Sequence, residues 1–181
     1  MAMSLSSEGT PDLVAFEQLV AEYQDRVYGI ALRITGSAPE AEDVMQDAFL
    51  DAFRAWSAFR GEAAPTTWLY RIAVNAALKR RRSQHDVAYL SERDDADEEI
   101  VDWSPDLAQA AVQREVEQQL EDGIRRLPDD LRVTLILRDV EGLSTAETSA
   151  VLAISEAAVK SRLHRARVMM RRHLGDLFRE G

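Results

Sequence analysis

The sequence contains no cysteine, and this absence narrows its chemistry at once. Without thiols the chain forms no disulfide, offers no thiolate ligand to a metal and has no cysteine nucleophile. Histidine occurs only at positions 85, 164 and 173, and no glycine-rich phosphate-binding loop is present. Nothing therefore assembles a metal site, a cofactor site or a nucleophile triad. We expect a protein that is not an enzyme, with no catalytic residue, no metal and no cofactor.

Long hydrophobic runs are also missing. No apolar stretch approaches the roughly 20 residues that cross a bilayer. Residues 1–11 are small and polar, without the basic and then apolar run of a secretory signal. Hydrophobic residues still make up 46% of the 181 residues, which is enough for one ordinary core or two small ones. We therefore expect a soluble cytoplasmic protein without membrane insertion.

The net charge of -10 comes from one part of the chain. Residues 86–122 hold 13 acids and 2 bases, residues 1–85 hold 11 acids and 9 bases, and residues 123–181 hold 8 acids and 11 bases. An acidic segment without periodicity is typical of a linker that is poorly ordered alone. Trp103 lies inside this segment. It is either a local anchor against a domain edge or a contact with a partner, and the sequence leaves both interpretations open.

Helical periodicity dominates the rest, and no alternating strand pattern of useful length occurs. Apolar residues recur every three or four positions in 16–34, 44–56 and 112–127, and a third helix is predicted over 66–82. The prediction is an all-α fold of two small helical domains joined by an acidic flexible linker. The expected parts are a flexible N-terminus at 1–11, a first domain at 12–84, the linker at 85–111 and a second domain at 112–178.

Local signals mark where several helices begin and end. Gly36 is expected to end the first helix, and Ser37 with Glu40 has the spacing of a capping box for the second. Ser144 with Glu147 forms a second capping box, which opens a short helix ending near residue 152. Residues 153–154 leave room only for a tight turn before the next helix. Two short helices joined this tightly match a DNA-binding helix-turn-helix.

The second helix of this pair, from Ser155, is strongly basic. Six bases and one acid lie between residues 155 and 174. Val159, Leu163, Ala166 and Met170 share one face, which we expect to pack on the preceding helix. Its bases gain affinity for phosphates through counterion release, and those near its N-terminal half can reach base edges. A solvated basic face, or a basic partner for the acidic linker, is the alternative.

Two helices of the N-terminal half are also charged on one side. The second helix carries acids from Glu40 to Asp51 with no base before Arg54. The third carries aromatic residues and closes with four bases at 79–82, a combination that suits single-stranded nucleic acid. The residues alone leave another interpretation open, because bases at a helix C-terminus also complement the macrodipole and Trp68 fits a core position.

Three strings give a more specific prediction: AEDVMQDAF at 41–49, TWLYRIAVN at 67–75 and VKSRLHRAR at 159–167. They resemble, in order, motifs of the sigma-70 family of RNA polymerase sigma factors. Residues 16–82 resemble its region 2 and residues 112–174 its region 4. The short chain without an intervening domain is similar to the extracytoplasmic-function (ECF, group 4) subfamily. The resemblance implies a transcription initiation factor that directs core RNA polymerase to promoters.

The resemblance also implies roles for individual residues. Contacts with the duplex −35 element would come from Lys160, Ser161, Arg162, His164, Arg165 and Arg167. Contacts with the melted −10 element would come from Trp68, Arg71, Asn75, Lys79 and Arg80, beside a loop at 61–67 that captures an unpaired base. Contacts with the β′ clamp helices of core polymerase would come from Glu42, Asp43, Gln46 and Asp47.

The remaining implied partners are promoter DNA and the polymerase β flap, and the acidic linker would thread the polymerase cleft. Anti-sigma factors hold many family members, so such a partner stays open here. The chain departs from the family pattern at Ala153, where a glycine is usual, at Thr148, where an apolar residue is common, and in loop 62–65, which lacks an aromatic residue. An ordinary DNA-binding regulator is the competing hypothesis, but it has no use for the acidic second helix.

Overall fold

The structure, a computed structural model, describes residues 13–59, 64–88 and 107–177. Its helices are α1 (Leu13–Thr35), α2 (Ala38–Trp56), α3 (Pro65–Ala88), α4 (Leu107–Arg126), α5 (Asp129–Leu135), a π-helical turn π1 (Ile136–Val140), α6 (Thr145–Leu152) and α7 (Glu156–Leu177). No strand occurs in these described ranges, so the all-α prediction is confirmed. Within them, no helix is long and apolar enough to cross a membrane.

The first three helices pack around one core. Val27, Ile30 and Ile34 of α1 are fully buried, as are Leu69 and Tyr70 of α3. The three- and four-residue spacing of these side chains explains why each helix buries one face. Gly36 ends α1 with φ +78°, a left-handed conformation that glycine adopts without strain, and its N–H donates to the Leu32 carbonyl at 2.8 Å.

The predicted capping box at the start of α2 is wrong. Ser37 is the N-cap residue, but its side chain accepts no hydrogen bond from the first turn. Glu40 reaches across to α3 instead, where its carboxylate lies 3.5 Å from the guanidinium of Arg80. A long-range ion pair has therefore replaced the local bond that the spacing suggested.

The second group of helices, α4 to α7, surrounds α5 and π1. All seven side chains from 131 to 137 are buried, including the polar Arg132 and Thr134. The helix that begins at Asp129 widens into π1, where the Glu141 N–H donates to the Ile136 carbonyl at 2.9 Å. Such π turns insert one residue into a helix and are frequent at functional sites. Sequence periodicity did not predict this turn.

Both groups of helices dock against each other through α1, α3, α4, α5 and α6. Arg132, 1% exposed, lies at the centre of this contact. Its guanidinium donates to the carbonyls of Ile124 at 3.0 Å, Leu127 at 2.9 Å and Arg125 near the end of α4. It also donates to Ile34 at the end of α1 at 3.1 Å. One side chain therefore satisfies terminal carbonyls of two helices from opposite halves of the chain.

Further polar contacts cross the same junction. Arg81 of α3 lies 2.6 Å from the Asp129 carboxylate and donates to the Ile34 carbonyl at 3.1 Å. Arg33 of α1 pairs with Glu121 of α4 at 3.0 Å. Burial, together with the nearby positive charge of Arg81, lowers the pKa of Arg132 to about 10.

The segment predicted as a linker lies mostly outside the described residues. Helix α3 continues to Ala88 and α4 begins at Leu107, so both extend into the range 85–111. Residues 89–106, with Trp103 among them, are not described.

Candidate nucleic-acid interface

Helices α6 and α7 form the helix-turn-helix. The capping box is confirmed: the Ser144 N–H donates to the Glu147 carboxylate at 2.7 Å, and the Glu147 N–H donates to the Ser144 hydroxyl at 3.1 Å. Hydrogen bonds from Ser144 to the Glu147 carboxylate lower the pKa of Glu147 because they stabilise its charged form. Ser155 caps α7, since its hydroxyl accepts the Ala158 N–H at 3.1 Å. Both helices therefore begin where the sequence indicated.

The turn between them places a non-glycine residue in a left-handed conformation. Ala153 has φ 53° and ψ 44°, and it is the one non-glycine residue with positive φ in the described ranges. The turn closes with the Ile154 N–H donating to the Ser149 carbonyl at 3.2 Å. A glycine at this position would adopt the same conformation without steric cost. Thr148, the other departure from the family pattern, is fully buried.

The two faces of α7 separate as predicted. Val159, Leu163, Ala166 and Met170 are buried, at 0% to 8% exposure. The outward face exposes Lys160, Ser161, His164 and Arg165, all of which were predicted to contact −35 DNA. A buried apolar stripe opposite an exposed basic and polar surface is the geometry by which a recognition helix enters a major groove.

The other two predicted −35 residues each pair with an acid from another element, although the Arg167 side chain stays 52% exposed. Arg167 donates from Nε and Nη2 to the two carboxylate oxygens of Asp139 in π1, at 2.9 and 2.6 Å. This carboxylate raises the pKa of Arg167. Arg162 is half-buried and lies 3.6 Å from the Asp130 carboxylate in α5. Sequence spacing on α7 did not reveal either partner, because both acids come from other elements.

In the N-terminal group, a groove of about 760 Å³ runs between α2 and α3. It brings together four of the five predicted −10 residues, Trp68, Asn75, Lys79 and Arg80, with Asp43 and Asp47 of the acidic helix. Asn75 and Lys79 are exposed. Arg80 pairs with Asp43 at 3.1 Å, so one predicted DNA residue and one predicted polymerase residue neutralise each other here.

Trp68 belongs to an aromatic cluster at the end of this groove. Its ring centroid lies 4.9 Å from Phe59 and 5.9 Å from Trp56, and Trp56 stacks on Phe59 at 5.6 Å. All three rings are half-buried. The cluster borders the loop predicted to hold an unpaired base, although residues 61–63 of that loop lie outside the described residues. Phe59 was not predicted, but its three-residue spacing from Trp56 was a usable signal.

Arg71, the fifth predicted −10 residue, does not join the groove. Its Nε donates at 3.1 Å to the Ala150 carbonyl of α6, and Nη2 donates to the same oxygen. Arg71 therefore contacts the helix-turn-helix across the docked junction. Periodicity within α3 could not indicate a contact that depends on how the two groups of helices are arranged.

The acidic face of α2 is present as expected. Glu42, Asp43, Gln46 and Asp47 are all exposed, while Ala41, Val44 and Ala48 between them are buried. Elsewhere in the part of the chain that the structure describes, no group of three or more His, Asp or Glu side chains is placed to hold a metal ion.

A second groove, of about 1030 Å³, lies between α4, π1 and α7. Its apolar lining includes Leu120, Val140 and Met170. Leu120 and Val140 are 38% and 42% exposed, which is high for large aliphatic side chains. Basic residues of α7 line its rim.

Comparison with known proteins also divides the chain into an N-terminal and a C-terminal part. Residues 19–86 match Sigma-70 region 2, and residues 117–170 match Sigma-70 region 4. The RNA polymerase sigma-H factor of Pseudomonas aeruginosa is 40% identical over 179 residues, which cover 93% of this chain and 91% of that protein. The chain belongs to the sigma-70 family. It is a transcription initiation factor and not an enzyme.

Other relatives place this sigma factor in the extracytoplasmic-function group. The ECF RNA polymerase sigma factor SigW of Bacillus subtilis is 33% identical and covers 92% of each chain. The ECF RNA polymerase sigma-E factor of Haemophilus influenzae is 36% identical and covers 92% of this chain and 90% of that protein.

One solved structure with the same fold is the sigma factor RpoE in complex with the anti-sigma factor NepR from Bartonella quintana. It aligns with a TM-score of 0.70 at 22% identity, over 89% of this chain and 97% of that one. Another is CnrH in complex with the cytosolic domain of CnrY, with a TM-score of 0.67 at 24% identity, over 91% and 90%. At these identities the likeness concerns the fold alone.

Proposed function

We propose that this sigma factor binds core RNA polymerase in the cytoplasm and directs it to promoters, with α3 on melted −10 DNA and α7 on duplex −35 DNA. The observation that carries the proposal is the division of α7 into a fully packed face and an exposed face. Lys160, Ser161, His164 and Arg165 are free to approach base edges, because the apolar stripe behind them fixes the helix.

The groove between α2 and α3 supports the −10 assignment. Asn75 and Lys79 supply a hydrogen-bonding amide and a cation beside the half-buried ring of Trp68. Single-stranded nucleic acid is held in this way, with bases stacked on rings and the backbone near cations. Capturing a flipped base costs a few kcal/mol of unstacking, which such contacts offset.

The acidic face of α2 supports the polymerase assignment. Four exposed residues in two helical turns, three of them acidic, form a surface that favours a basic partner over DNA. An autonomous DNA-binding regulator would gain nothing from this surface. We therefore propose that Glu42, Asp43, Gln46 and Asp47 dock on the β′ clamp helices.

The apolar groove between α4, π1 and α7 suits a protein partner. Exposed aliphatic side chains in a groove are typical sites for an amphipathic helix. We propose that the β flap of polymerase binds here. Leu120→Asp should then weaken capture of core polymerase, and unchanged capture would overturn this assignment.

The docked arrangement has a consequence for promoter binding. Elements centred near −10 and −35 lie about 25 base pairs apart, which is roughly 85 Å at about 3.4 Å per pair. Helix α7 has 22 residues and spans only about 33 Å, and α3 contacts α6 directly. The two groups of helices must therefore separate before both elements are bound at once.

Pull-down with core RNA polymerase tests the polymerase assignment. The full chain should bind core enzyme at micromolar concentration or below, and Glu42→Lys with Asp47→Lys should weaken binding at least tenfold. Exposed Glu17 and Glu22 of α1 provide the matched control, since Glu17→Lys with Glu22→Lys makes the same change in net charge elsewhere. Equal loss of polymerase binding in both double variants would show that the effect comes from net charge alone. No binding by the wild type would overturn the proposal.

A further inference from the structure

Two arginines at the edges of the recognition helix behave differently from its outward residues. At about 100° per residue, Arg162 and Arg167 lie about 70° to either side of the centre of the buried stripe. Ser161, His164 and Arg165 lie more than about 120° away from that centre. The two arginines therefore border the packed face of α7, one on each side.

Each border arginine is paired with an acid from a different element. Arg167 meets Asp139 of π1 in a bidentate pair, in which two parallel N–H groups match the two carboxylate oxygens. Arg162 lies 3.6 Å from Asp130 in the first turn of α5. These ion pairs connect one edge of α7 to α5 and the other edge to π1.

With its Nε–H and one Nη2–H held by Asp139, Arg167 could offer a phosphate only its remaining guanidinium N–H groups, beside a carboxylate that repels the phosphate. The Arg167 side chain is 52% exposed, so the pair with Asp139 sets its orientation and burial does not. Bidentate pairs hold their geometry more firmly than single contacts do. The π turn contributes as well, because its additional residue changes which side of the helix Asp139 faces.

We infer that Arg162 and Arg167 are positioning residues that set the orientation of α7 through Asp130 and Asp139, and that Lys160, Ser161, His164 and Arg165 alone contact DNA. This inference rests on the proposed function of α7. Sequence likeness placed six residues of α7 on −35 DNA. Four of these six then contact DNA, and the other two position the helix.

Substitution of Asp139 distinguishes DNA contact by Arg167 from positioning of α7, because the two roles predict opposite changes in DNA affinity. If Arg167 contacted DNA, Asp139→Asn would release it and remove a repulsive negative charge, so DNA would bind more tightly. If Arg167 positions α7, the same substitution loosens the helix and DNA binds more weakly. Salt dependence separates the roles again, because loss of one phosphate contact reduces the slope of log K against log salt by about 1.

The experiment measures binding of the full chain to duplexes selected from a random library by wild-type protein with core polymerase. Arg167→Ala and Asp139→Asn should each weaken binding about fivefold or more, a size typical of coupled neighbours, with the salt slope unchanged. The exchange Asp139→Arg with Arg167→Asp should recover most of the affinity. Arg162→Ala and Asp130→Asn should act in the same direction.

Lys160→Ala is the matched control, since it removes an exposed base that lies only about 20° around the same helix from Arg167. It should weaken binding and reduce the salt slope by about 1. Tighter binding by Asp139→Asn, or a reduced slope in Arg167→Ala, would overturn the positioning role while leaving the proposed function intact. Unchanged binding in Lys160→Ala with Arg165→Ala would instead overturn the placement of α7 on DNA.

Discussion

At the scale of single residues, Arg132 is the clearest case of chemistry that composition could not reveal. It stands in a buried run whose other residues, except Thr134, are apolar, and it donates to four backbone carbonyls at the ends of α1 and α4. A buried arginine in such a run is itself a usable signal, because a charge is buried only when it is fully hydrogen-bonded. The carbonyls that Arg132 binds include one about 100 residues away along the chain. Local sequence cannot predict such a contact.

Arg132→Lys should destabilise the protein by about 3–5 kcal/mol, because one ammonium group cannot replace a planar guanidinium with four acceptors. Urea unfolding followed by circular dichroism measures the difference. Arg125→Ala is the control, since that side chain is 58% exposed and should change stability by no more than about 0.5 kcal/mol. A loss below about 1 kcal/mol in Arg132→Lys would show that the buried network is not a main source of stability.

Glu147 predicts a pH dependence that can be traced to one residue. Its pKa is lowered in the folded protein by hydrogen bonds with Ser144, so its charged form stabilises α6 above the pKa of the unfolded chain. That contribution is lost as pH falls through the lower pKa of the folded state. The difference in unfolding free energy between wild type and Glu147→Gln should therefore be present at neutral pH and shrink toward pH 3. A difference independent of pH would contradict this assignment.

At the scale of helices, local sequence predicted well wherever the stabilising contact was also local. Ser144 and Glu147 form their capping box because both partners lie within one turn. Ser37 and Glu40 have the same spacing, yet Glu40 turns to Arg80 on α3. In α2, Pro39 stands in the first turn, the Ser37 N–H donates to the Thr35 hydroxyl at 3.4 Å, and Glu40 meets a competing cation on a neighbouring helix. Sequence spacing alone cannot identify such a competitor.

The turn between α6 and α7 predicts a stabilising substitution. Ala153 pays a steric cost for its positive φ that glycine avoids, so Ala153→Gly should stabilise the protein by about 1 kcal/mol after the greater chain entropy of glycine is subtracted. Thermal unfolding measures the change. Ala21→Gly is the matched control, because Ala21 is exposed well inside α1 and the variant should lose about 1 kcal/mol. Destabilisation by Ala153→Gly would show that the turn is not strained.

At the scale of the whole molecule, the sequence predicted two helical groups but not that they dock. Arg71, Arg81 and Arg132 contact the opposite group through Ala150, Asp129 and Ile34. Each of these pairs joins residues far apart in sequence, so no periodicity or motif could indicate them. The same contacts explain why Arg71 lies away from the groove that holds the other predicted −10 residues.

If the two groups of helices dock, the distance between them should increase when the junction is disrupted, and this change can be measured directly. The absence of cysteine allows a dye pair at introduced cysteines, Leu50→Cys on α2 and Arg172→Cys on α7, both exposed positions. Energy transfer should be high in the free protein and fall when Asp129→Lys places a third positive charge beside Arg81 and Arg132. Arg71→Ala should lower it as well, while Glu22→Lys should not. Equal transfer in all variants would contradict a junction held by these residues.

The central claim is that this sigma factor directs polymerase to promoters with two separate elements. Run-off transcription from a randomised promoter library, with core RNA polymerase and the full chain, tests this most directly. The account predicts defined start sites whose upstream DNA shares one block near −10 and another near −35. Lys160→Ala with Arg165→Ala should relax only the −35 block. Initiation without any shared sequence, or no initiation that depends on this protein, would contradict the account.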